Sequence, residues 1–286
     1  MENFEFHAPR ALAEVYALLD EHEYDARLIA GGTSLITFMK QQLVQPDHLI
    51  HLGKIDALRG VEIVDGEMVV KALTTYRELE THPLVLEHAP QIAEVFSHVA
   101  TMRIRESATI GGGLSQGDSA QDGPGLWLLL NARVVLSSNN GEREVAMNEF
   151  IEDYFTTVIE PNEVLTEIRI PLPPTHAGFA YSKFLPRSED DYAAVSVGAL
   201  TTLGTDGKIA STRLTLGSVA AIPVLVPAEM LVGQPTDTDL INAVAESLRE
   251  LVDPLDDVRG SAAYKTDMAV VFARRTLQSS LQRAIR

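Results

Sequence analysis

The chain has 286 residues, of which 45% are hydrophobic and 22% are charged, and this composition predicts a soluble protein of two domains. Its net charge of −17 argues against nucleic-acid binding, which requires a concentrated lysine and arginine surface, and indicates either solubility or an acidic face for a partner. The absence of cysteine excludes disulfides, thiolate nucleophiles and cysteine-ligated zinc or iron–sulfur clusters within this chain.

The first 55 residues or so predict a small β-turn-α-β lobe. Apolar residues recur at helical spacing after Pro9, and a short apolar run ends at the pair Gly31-Gly32. Pro46 then separates a second helix from a second strand. In order, the sequence predicts a helix over 12–19, a strand over 27–30, a helix over 34–43 and a strand over 48–52.

Residues 56–174 predict a second lobe, in which an antiparallel sheet is combined with helices. The pairs Asp65-Gly66 and Asn140-Gly141 indicate hairpin turns, because these residue types tolerate positive φ. A cluster of prolines that begins at Pro171 ends the last strand, and it predicts a domain boundary after residue 174. The predicted strands of this lobe include 61–64, 68–72 and 164–170, and its helices include 91–99 and 124–132.

Residues 175–286 predict a smaller α+β domain. Three strands over 179–185, 193–203 and 209–219 form an antiparallel meander, and helices follow over 237–251 and 261–277. The predicted fold class is therefore α+β. A two-lobed domain (lobes of about 1–55 and 56–174) precedes the C-terminal domain of 175–286.

Two glycine-rich turns are candidate ligand-binding motifs: AGGTSL at 30–35, before a predicted helix, and TIGGG at 109–113, predicted as a loop. Glycine lets backbone N–H groups approach a ligand, and a helix N-terminus favours a phosphate. Each turn alone is also consistent with simple chain punctuation. Neither is the GxGxxG or GxxxxGK[ST] pattern, but two turns in one domain suit a dinucleotide that is held from two sides.

The histidines and the apolar runs predict neither a metal site nor a membrane segment. The eight histidines lack the paired spacing of metal ligands, so residues such as His48 and His51 are interpreted as ordinary surface or core histidines. No run reaches the ~18–20 apolar residues of a membrane span. The acidic N-terminus is unlike a signal peptide, and we expect a cytoplasmic protein.

Several segments, in the same order along the chain, resemble the flavin-binding medium subunits of the xanthine dehydrogenase / carbon monoxide dehydrogenase family of molybdenum hydroxylases. These segments are LIAGGTSLITFMK (28–40), MRIRESATIGGGLSQGDSAQD (102–122), EVLTEIRIP (163–171), FAYSKF (179–184) and DDYAAVSVGA (190–199). Each motif is modest, but their common order over nearly the whole chain is specific. The chain is identified on this basis as a member of that family.

In that family both glycine turns contact FAD, the first at its pyrophosphate. The resemblance assigns FAD contacts to Ala30, Gly31, Gly32, Thr33, Ser34, Leu35, Ile36, Val99, Thr109, Ile110, Gly111, Gly112, Gly113, Asp122, Leu165, Lys183 and Tyr192. Tyr192 matches a tyrosine that lies against the isoalloxazine ring.

Three of these positions also have a simpler interpretation. Asp122 either accepts hydrogen bonds from cofactor hydroxyls or is an N-cap before Pro124. Val99 is either beside the adenine or in the core, and Lys183 is either at the cofactor or solvated. The chain also departs from the family pattern at Thr33, Gly113 and Glu106, where relatives have other residues, and these departures put FAD affinity in doubt.

The family resemblance implies FAD in this chain, a molybdenum cofactor in a large partner subunit and two [2Fe–2S] clusters in a small one, assembled as a dimer of heterotrimers. The FAD is expected to be non-covalent, because the AGGTSL turn has no histidine and the chain has no cysteine. Electrons would pass from the clusters through FAD to an acceptor, and no residue here would be catalytic toward the organic substrate. The alternatives are an autonomous FAD-dependent reductase or oxidase and a scaffold subunit that has lost FAD. The substrate and the electron acceptor stay open, because substrate contacts would lie in another chain.

Overall fold

The computed structural model describes residues 3–188 and 190–285. It shows a mixed α+β protein with several separate sheets, which confirms the predicted fold class. Within the described ranges, no helix combines the length and the apolar character that a membrane span requires.

The N-terminal lobe is a three-stranded parallel sheet in the order β1-β3-β2, with a helix in each crossover. Its core contains Val15 and Leu19 of the first helix and Ile50 of the central strand. The first strand was not predicted, because three residues are too few to show a period, and the second helix is shorter than expected. The elements are β1 (Glu5–His7), α1 (Leu12–His22), β2 (Ala26–Ile29), α2 (Leu35–Lys40) and β3 (His48–His51).

The second lobe is a five-stranded antiparallel sheet in the order β4-β5-β10-β6-β7, with helices packed around Phe96, Trp127 and Phe150. Both predicted hairpin turns are confirmed. The strands are β4 (Val61–Val64), β5 (Glu67–Lys71), β6 (Arg133–Ser138), β7 (Gly141–Ala146) and β10 (Val164–Pro171), beside a small hairpin of β8 (Ile151–Asp153) and β9 (Thr156–Thr157). The helices are α3 (Tyr76–Thr81), α4 (Pro83–His88), α5 (Pro90–Ser97), α6 (Met102–Arg105), α7 (Ile110–Ser115), α8 (Asp122–Leu129) and α9 (Met147–Phe150).

The C-terminal part is an antiparallel sheet in the order β11-β12-β13-β14, with two helices. The predicted three-stranded meander is corrected to four strands, because a short segment between Pro223 and Pro227 pairs with the third strand. The elements are β11 (Gly178–Phe184), β12 (Val195–Leu203), β13 (Ile209–Gly217), β14 (Val224–Val226), α10 (Thr238–Ser247) and α11 (Ala262–Ala284).

The C-terminal sheet packs on α8 of the second lobe. Arg213 of β13 donates hydrogen bonds to the carbonyl oxygens of Leu128 and Leu129 at 2.7 and 2.8 Å. The hydroxyl of Thr215 donates to the carbonyl oxygen of Gly125 at 3.0 Å. These bonds occupy backbone acceptors of α8 and attach β13 to the helix that begins at Asp122. The boundary after residue 174 stays a prediction.

Candidate functional site

A cavity of about 850 Å³ lies where the two lobes and the C-terminal part of the chain meet. Both glycine turns line it, together with residues from β10 and β11 and from the loop that holds Tyr192. This volume falls in the range of small-molecule and cofactor sites. The fold therefore brings segments that are far apart in sequence to one concave surface.

The first glycine turn connects β2 to α2. Gly32 has a φ of +70°, a left-handed conformation that glycine adopts without strain. Gly31 is required for a different reason: a Cβ there would lie 1.7 Å from the carbonyl oxygen of Ser107. The first turn therefore packs directly on the segment that leads into the second turn.

The second glycine motif is helical, so its prediction as a loop is wrong. Thr109 is the N-cap of α7, and its hydroxyl accepts a hydrogen bond from the Gly112 N–H at 3.1 Å. A Cβ on Gly111 would lie 2.6 Å from the Cβ of Ala72, and one on Gly113 would lie 2.0 Å from the Tyr76 hydroxyl oxygen. These two glycines permit close packing within the protein.

Gly112 is the member of this motif that faces the first turn. A Cβ there would lie 3.9 Å from the Cβ of Ala30 and 2.9 Å from the Thr109 hydroxyl oxygen. The N-terminal turns of α2 and α7 therefore border the same cavity. The N–H groups of Ile110, Gly111 and Gly112 already donate to Thr74, Ala72 and Thr109. The N–H groups of residues 32–34, just before α2, have no acceptor among the described residues, and such helix-terminal donors suit an anionic group such as a pyrophosphate.

Asp122 is the first residue of α8 and is 4% exposed. Its carboxylate accepts a short hydrogen bond from the Tyr181 hydroxyl and forms an ion pair with Lys183, whose Nζ lies 2.9 Å away. The N-cap of α8 is Gln121, so the N-cap interpretation of Asp122 is wrong. The solvated interpretation of Lys183 is also wrong, because its side chain is 6% exposed and also donates to the His98 carbonyl oxygen at 3.1 Å.

Two tyrosines beside this end of the cavity were not predicted from the sequence: Tyr76, which is buried and lines the cavity, and Tyr181, which contacts Asp122 from behind the lining. Burial, and then the nearby charge of Asp122, raises the pKa of Tyr181 well above its usual value, so this hydroxyl remains a hydrogen-bond donor. Burial likewise raises the pKa of Tyr76, whose hydroxyl donates to Gln121 Oε1 at 3.2 Å. The capping box of Thr75 and Glu78 signals the start of α3 but gives no indication that Tyr76 reaches the cavity.

Tyr192 lines the cavity from the loop between β11 and β12, and the residue is 45% exposed. Burial of its hydroxyl, together with the negative charges of Asp118 and Asp122, raises the pKa of Tyr192 to about 12. The phenol is therefore neutral at physiological pH. It offers an aromatic face at the edge of the cavity where a planar ring could pack.

Fifteen of the seventeen predicted contact residues line the cavity, and the other two lie outside its lining. Ile110 is 2% exposed in the core, and Ile36 is 38% exposed with its side chain close to Gly32. Val99 and Leu165 are both in the lining. Glu106, one of the three departures from the family pattern, is exposed and lies 3.9 Å from Arg77, outside the cavity lining.

Two protein families match this chain. The FAD binding domain in molybdopterin dehydrogenase matches residues 2–173, and the CO dehydrogenase flavoprotein C-terminal domain matches residues 180–280. The chain belongs to this FAD-binding molybdopterin dehydrogenase family. The resemblance read from the sequence is therefore confirmed, and FAD is the cofactor of the family's binding domain.

Relatives of known function and structure cover nearly the full length of the chain. The carbon monoxide dehydrogenase medium chain of Afipia carboxidovorans is 36% identical over 99% of this chain and 98% of its own. A carbon monoxide dehydrogenase structure from Hydrogenophaga pseudoflava superposes with a TM-score of 0.95 at 33% identity, covering 99% of this chain and 98% of that one. Quinoline 2-oxidoreductase from Pseudomonas putida gives 0.94 at 29% identity, with 100% and 99% coverage.

Proposed function

We propose that this chain binds FAD non-covalently in the cavity between the two glycine turns and is the electron-transfer subunit of a heteromeric molybdenum hydroxylase. The observation that carries this proposal is the position of Gly112 opposite Ala30. The two glycine turns, which precede α2 and begin α7, therefore border one cavity, and Tyr192 borders it at another edge. Backbone donors of the first turn, a facing glycine surface of the second turn and an aromatic face are features that suit a flavin dinucleotide.

The residues of the site have separate roles in this proposal. The amides of Gly32–Ser34 bind the pyrophosphate, because they lie just before the N-terminus of α2, and Gly112 leaves room for its close approach. Tyr192 packs against the isoalloxazine ring and limits access to it. Asp122 and Lys183 fix the position of β11 beside α8 and hold the wall of the cavity in place. Bound FAD supplies the redox chemistry, accepting electrons and passing them on.

The proposed partners are a large subunit with a molybdenum cofactor and a small subunit with [2Fe–2S] clusters, assembled in the cytoplasm as a dimer of heterotrimers. The lack of cysteine supports this division, because such clusters are held by cysteine thiolates. Relatives named for carbon monoxide and for quinoline share this fold over nearly its whole length. This similarity supports a substrate site in another subunit, so the chain itself does not indicate the organic substrate.

Two measurements test the proposal. The first is co-purification of the chain, tagged at its C-terminus, from its native host, followed by metal analysis of the captured complex. Molybdenum and iron in fixed ratio to flavin are expected. Capture of a flavoprotein without either metal would favour the autonomous enzyme, and capture without flavin would favour the scaffold.

The second measurement separates the two half-reactions. The isolated subunit, loaded with FAD, is expected to show no bleaching of its flavin absorbance by candidate substrates of the purified complex. After chemical reduction with dithionite, the same sample should still reduce oxygen or a dye. Substrate-dependent bleaching of the isolated chain would overturn the electron-transfer assignment.

A further inference from the structure

Three histidines from separate elements of the N-terminal lobe come together just outside the lining of the FAD cavity. They are His7 at the end of β1, His22 at the end of α1 and His48 at the start of β3. One ring nitrogen of each lies within 4.8 Å of those of the other two. His7 Nε2 is 3.1 Å from His48 Nδ1, and the rings of His22 and His48 are stacked with centroids 3.6 Å apart.

The parallel sheet explains why these residues meet. Glu5 is in register with His48, and His7 follows two residues later on β1, so all three side chains lie on one face of the sheet. Helix α1 carries His22 to the same end of that face. The side chains of His7 and His48 are 17% and 21% exposed, so the cluster is half-buried and held by the fold.

Glu5 adds a carboxylate to the cluster. Its oxygens lie 3.8 Å from His7 Nε2 and 3.9 Å from His48 Nδ1, and its side chain is 67% exposed, so it is free to move by the small distance that coordination requires. The lone pair of an imidazole nitrogen lies in the ring plane, so His22 must rotate out of its stack on His48 to bind the same ion. With that rotation, three imidazoles and one carboxylate complete a four-ligand set. The spacing between the His7 and His48 nitrogens is also close to the value of about 3.3 Å that tetrahedral geometry gives for Zn–N bonds of ~2.0–2.1 Å.

We propose that His7, His22, His48 and Glu5 bind one zinc ion. Imidazole nitrogen is a preferred ligand of zinc, whereas calcium and magnesium prefer sites made of oxygen atoms. The ion replaces the direct hydrogen bond between His7 and His48. Its charge is only partly balanced by the single carboxylate, and a chain with a net charge of −17 tolerates the excess positive charge.

The site has a structural role, because it joins β1, β3 and the end of α1. Residues just after His22 already border the FAD cavity, among them Tyr24 and Arg27. Zinc therefore stabilises the part of the N-terminal lobe that leads into the wall of the cavity. The sequence itself predicted no metal site, because the histidines lack the regular spacing of metal ligands. Ligands that come from three separate elements do not show such a spacing, and the zinc proposal replaces that expectation.

The test is isothermal titration of untagged, chelator-treated apoprotein with zinc chloride. We expect one zinc per chain with a dissociation constant in the micromolar range or tighter. His7→Ala, His22→Ala and His48→Ala should each weaken binding by at least about tenfold. His51→Ala is the matched control. His51 lies on β3, as His48 does, but its ring stacks on Phe6 outside the cluster. This variant should bind zinc with the affinity of the wild type.

Thermal unfolding gives a second measurement that separates lost ligands from misfolding. Zinc that saturates the wild type should raise the melting temperature of the wild type and of His51→Ala by several degrees, and it should raise that of His22→Ala by clearly less. His22 ends a helix at the surface, so its variant should retain the wild-type circular dichroism spectrum. Unsaturable binding, or equal zinc affinity in His22→Ala and the wild type, would overturn the proposal, and neither result depends on FAD binding.

Discussion

The carboxylate of Asp122 and the ammonium group of Lys183 form an ion pair 2.9 Å apart, with side chains 5% and 6% exposed. The pair joins α8 of the second lobe to β11 of the C-terminal part of the chain, at the wall of the proposed FAD cavity. Removal of one partner from such a pair leaves an uncompensated buried charge and typically costs about 3–5 kcal/mol of stability. The same residues that border the cofactor cavity therefore also stabilise the apoprotein.

Asp122→Asn and Lys183→Met should each destabilise the apoprotein, by about 3 kcal/mol at neutral pH. Asn retains an oxygen that can accept the hydrogen bond from Tyr181, so the loss reports mainly on the charge. The double variant should lose less than the sum of the two, because neither charge then remains buried alone. The free energy of unfolding of the wild type, the two single variants and the double variant is measured by urea unfolding, followed by the fluorescence of the single tryptophan, Trp127. Strict additivity would show that the two residues are not coupled.

Gly112→Ala should weaken FAD binding while leaving the apoprotein folded. Its Cβ projects between the two glycine turns, where it crowds the phosphate and weakens a hydrogen bond from the amides of the first turn; such a bond is worth ~1.5–3 kcal/mol, or roughly 10- to 100-fold in affinity. Gly31→Ala should instead destabilise the apoprotein, because its Cβ would overlap the Ser107 carbonyl oxygen. Gly125→Ala is the control, since its Cβ would have no neighbour within 4 Å. The measurement is the dissociation constant for FAD, by titration of each apoprotein. A wild-type value for Gly112→Ala would contradict the placement of the pyrophosphate beside Gly112.

Acid precipitation of the holoprotein should release all of its flavin into the supernatant. Covalent flavin links commonly use histidine or cysteine; the chain has no cysteine, and no histidine is among the described residues that line the cavity. The measurement is the flavin absorbance of the supernatant and of the washed pellet. A yellow pellet would contradict non-covalent binding.

Asp257 should make the C-terminal part of the chain sensitive to acid. Burial opposes ionisation of this carboxyl, but hydrogen bonds from Arg259 and Lys265 outweigh burial and hold its pKa well below the usual value. Because the pKa is lower in the folded state, the stabilisation is complete above the unfolded value of about 3.9 and is lost as the pH falls below it.

The corresponding measurement is the melting temperature of wild type and Asp257→Asn between neutral pH and pH 3. Asp257→Asn should melt at a lower temperature than the wild type at neutral pH, and this difference in melting temperature should become smaller below about pH 4. Asp206→Asn, a change in an exposed turn, provides the control. A difference between Asp257→Asn and wild type that stays constant with pH would contradict the ion-pair explanation.

The sequence predicted the features that depend on neighbours in the chain. The pair Asp65-Gly66 predicts its hairpin because the positive φ at both residues is a local property, and the structure confirms it. The order of motifs also identified the family, since that comparison requires no coordinates. Local patterns were insufficient where an element is very short, as for β1 and β14. They also failed where a cap overrides composition: Thr109 starts a helix through three glycines that favour a loop.

Only the tertiary structure decided which distant residues meet. Strand β10 lies between β5 and β6, although many residues separate it from β5, and this arrangement brings the second lobe around the glycine turns. Asp122 and Lys183 are 61 positions apart, and His7 and His48 are 41 apart. Such pairs depend on strand order, register and the packing of whole elements, so no spacing along the chain encodes them. For this reason the sequence identified the family and predicted the two glycine turns as its cofactor contacts, whereas the buried ion pair and the histidine cluster became visible only in the fold.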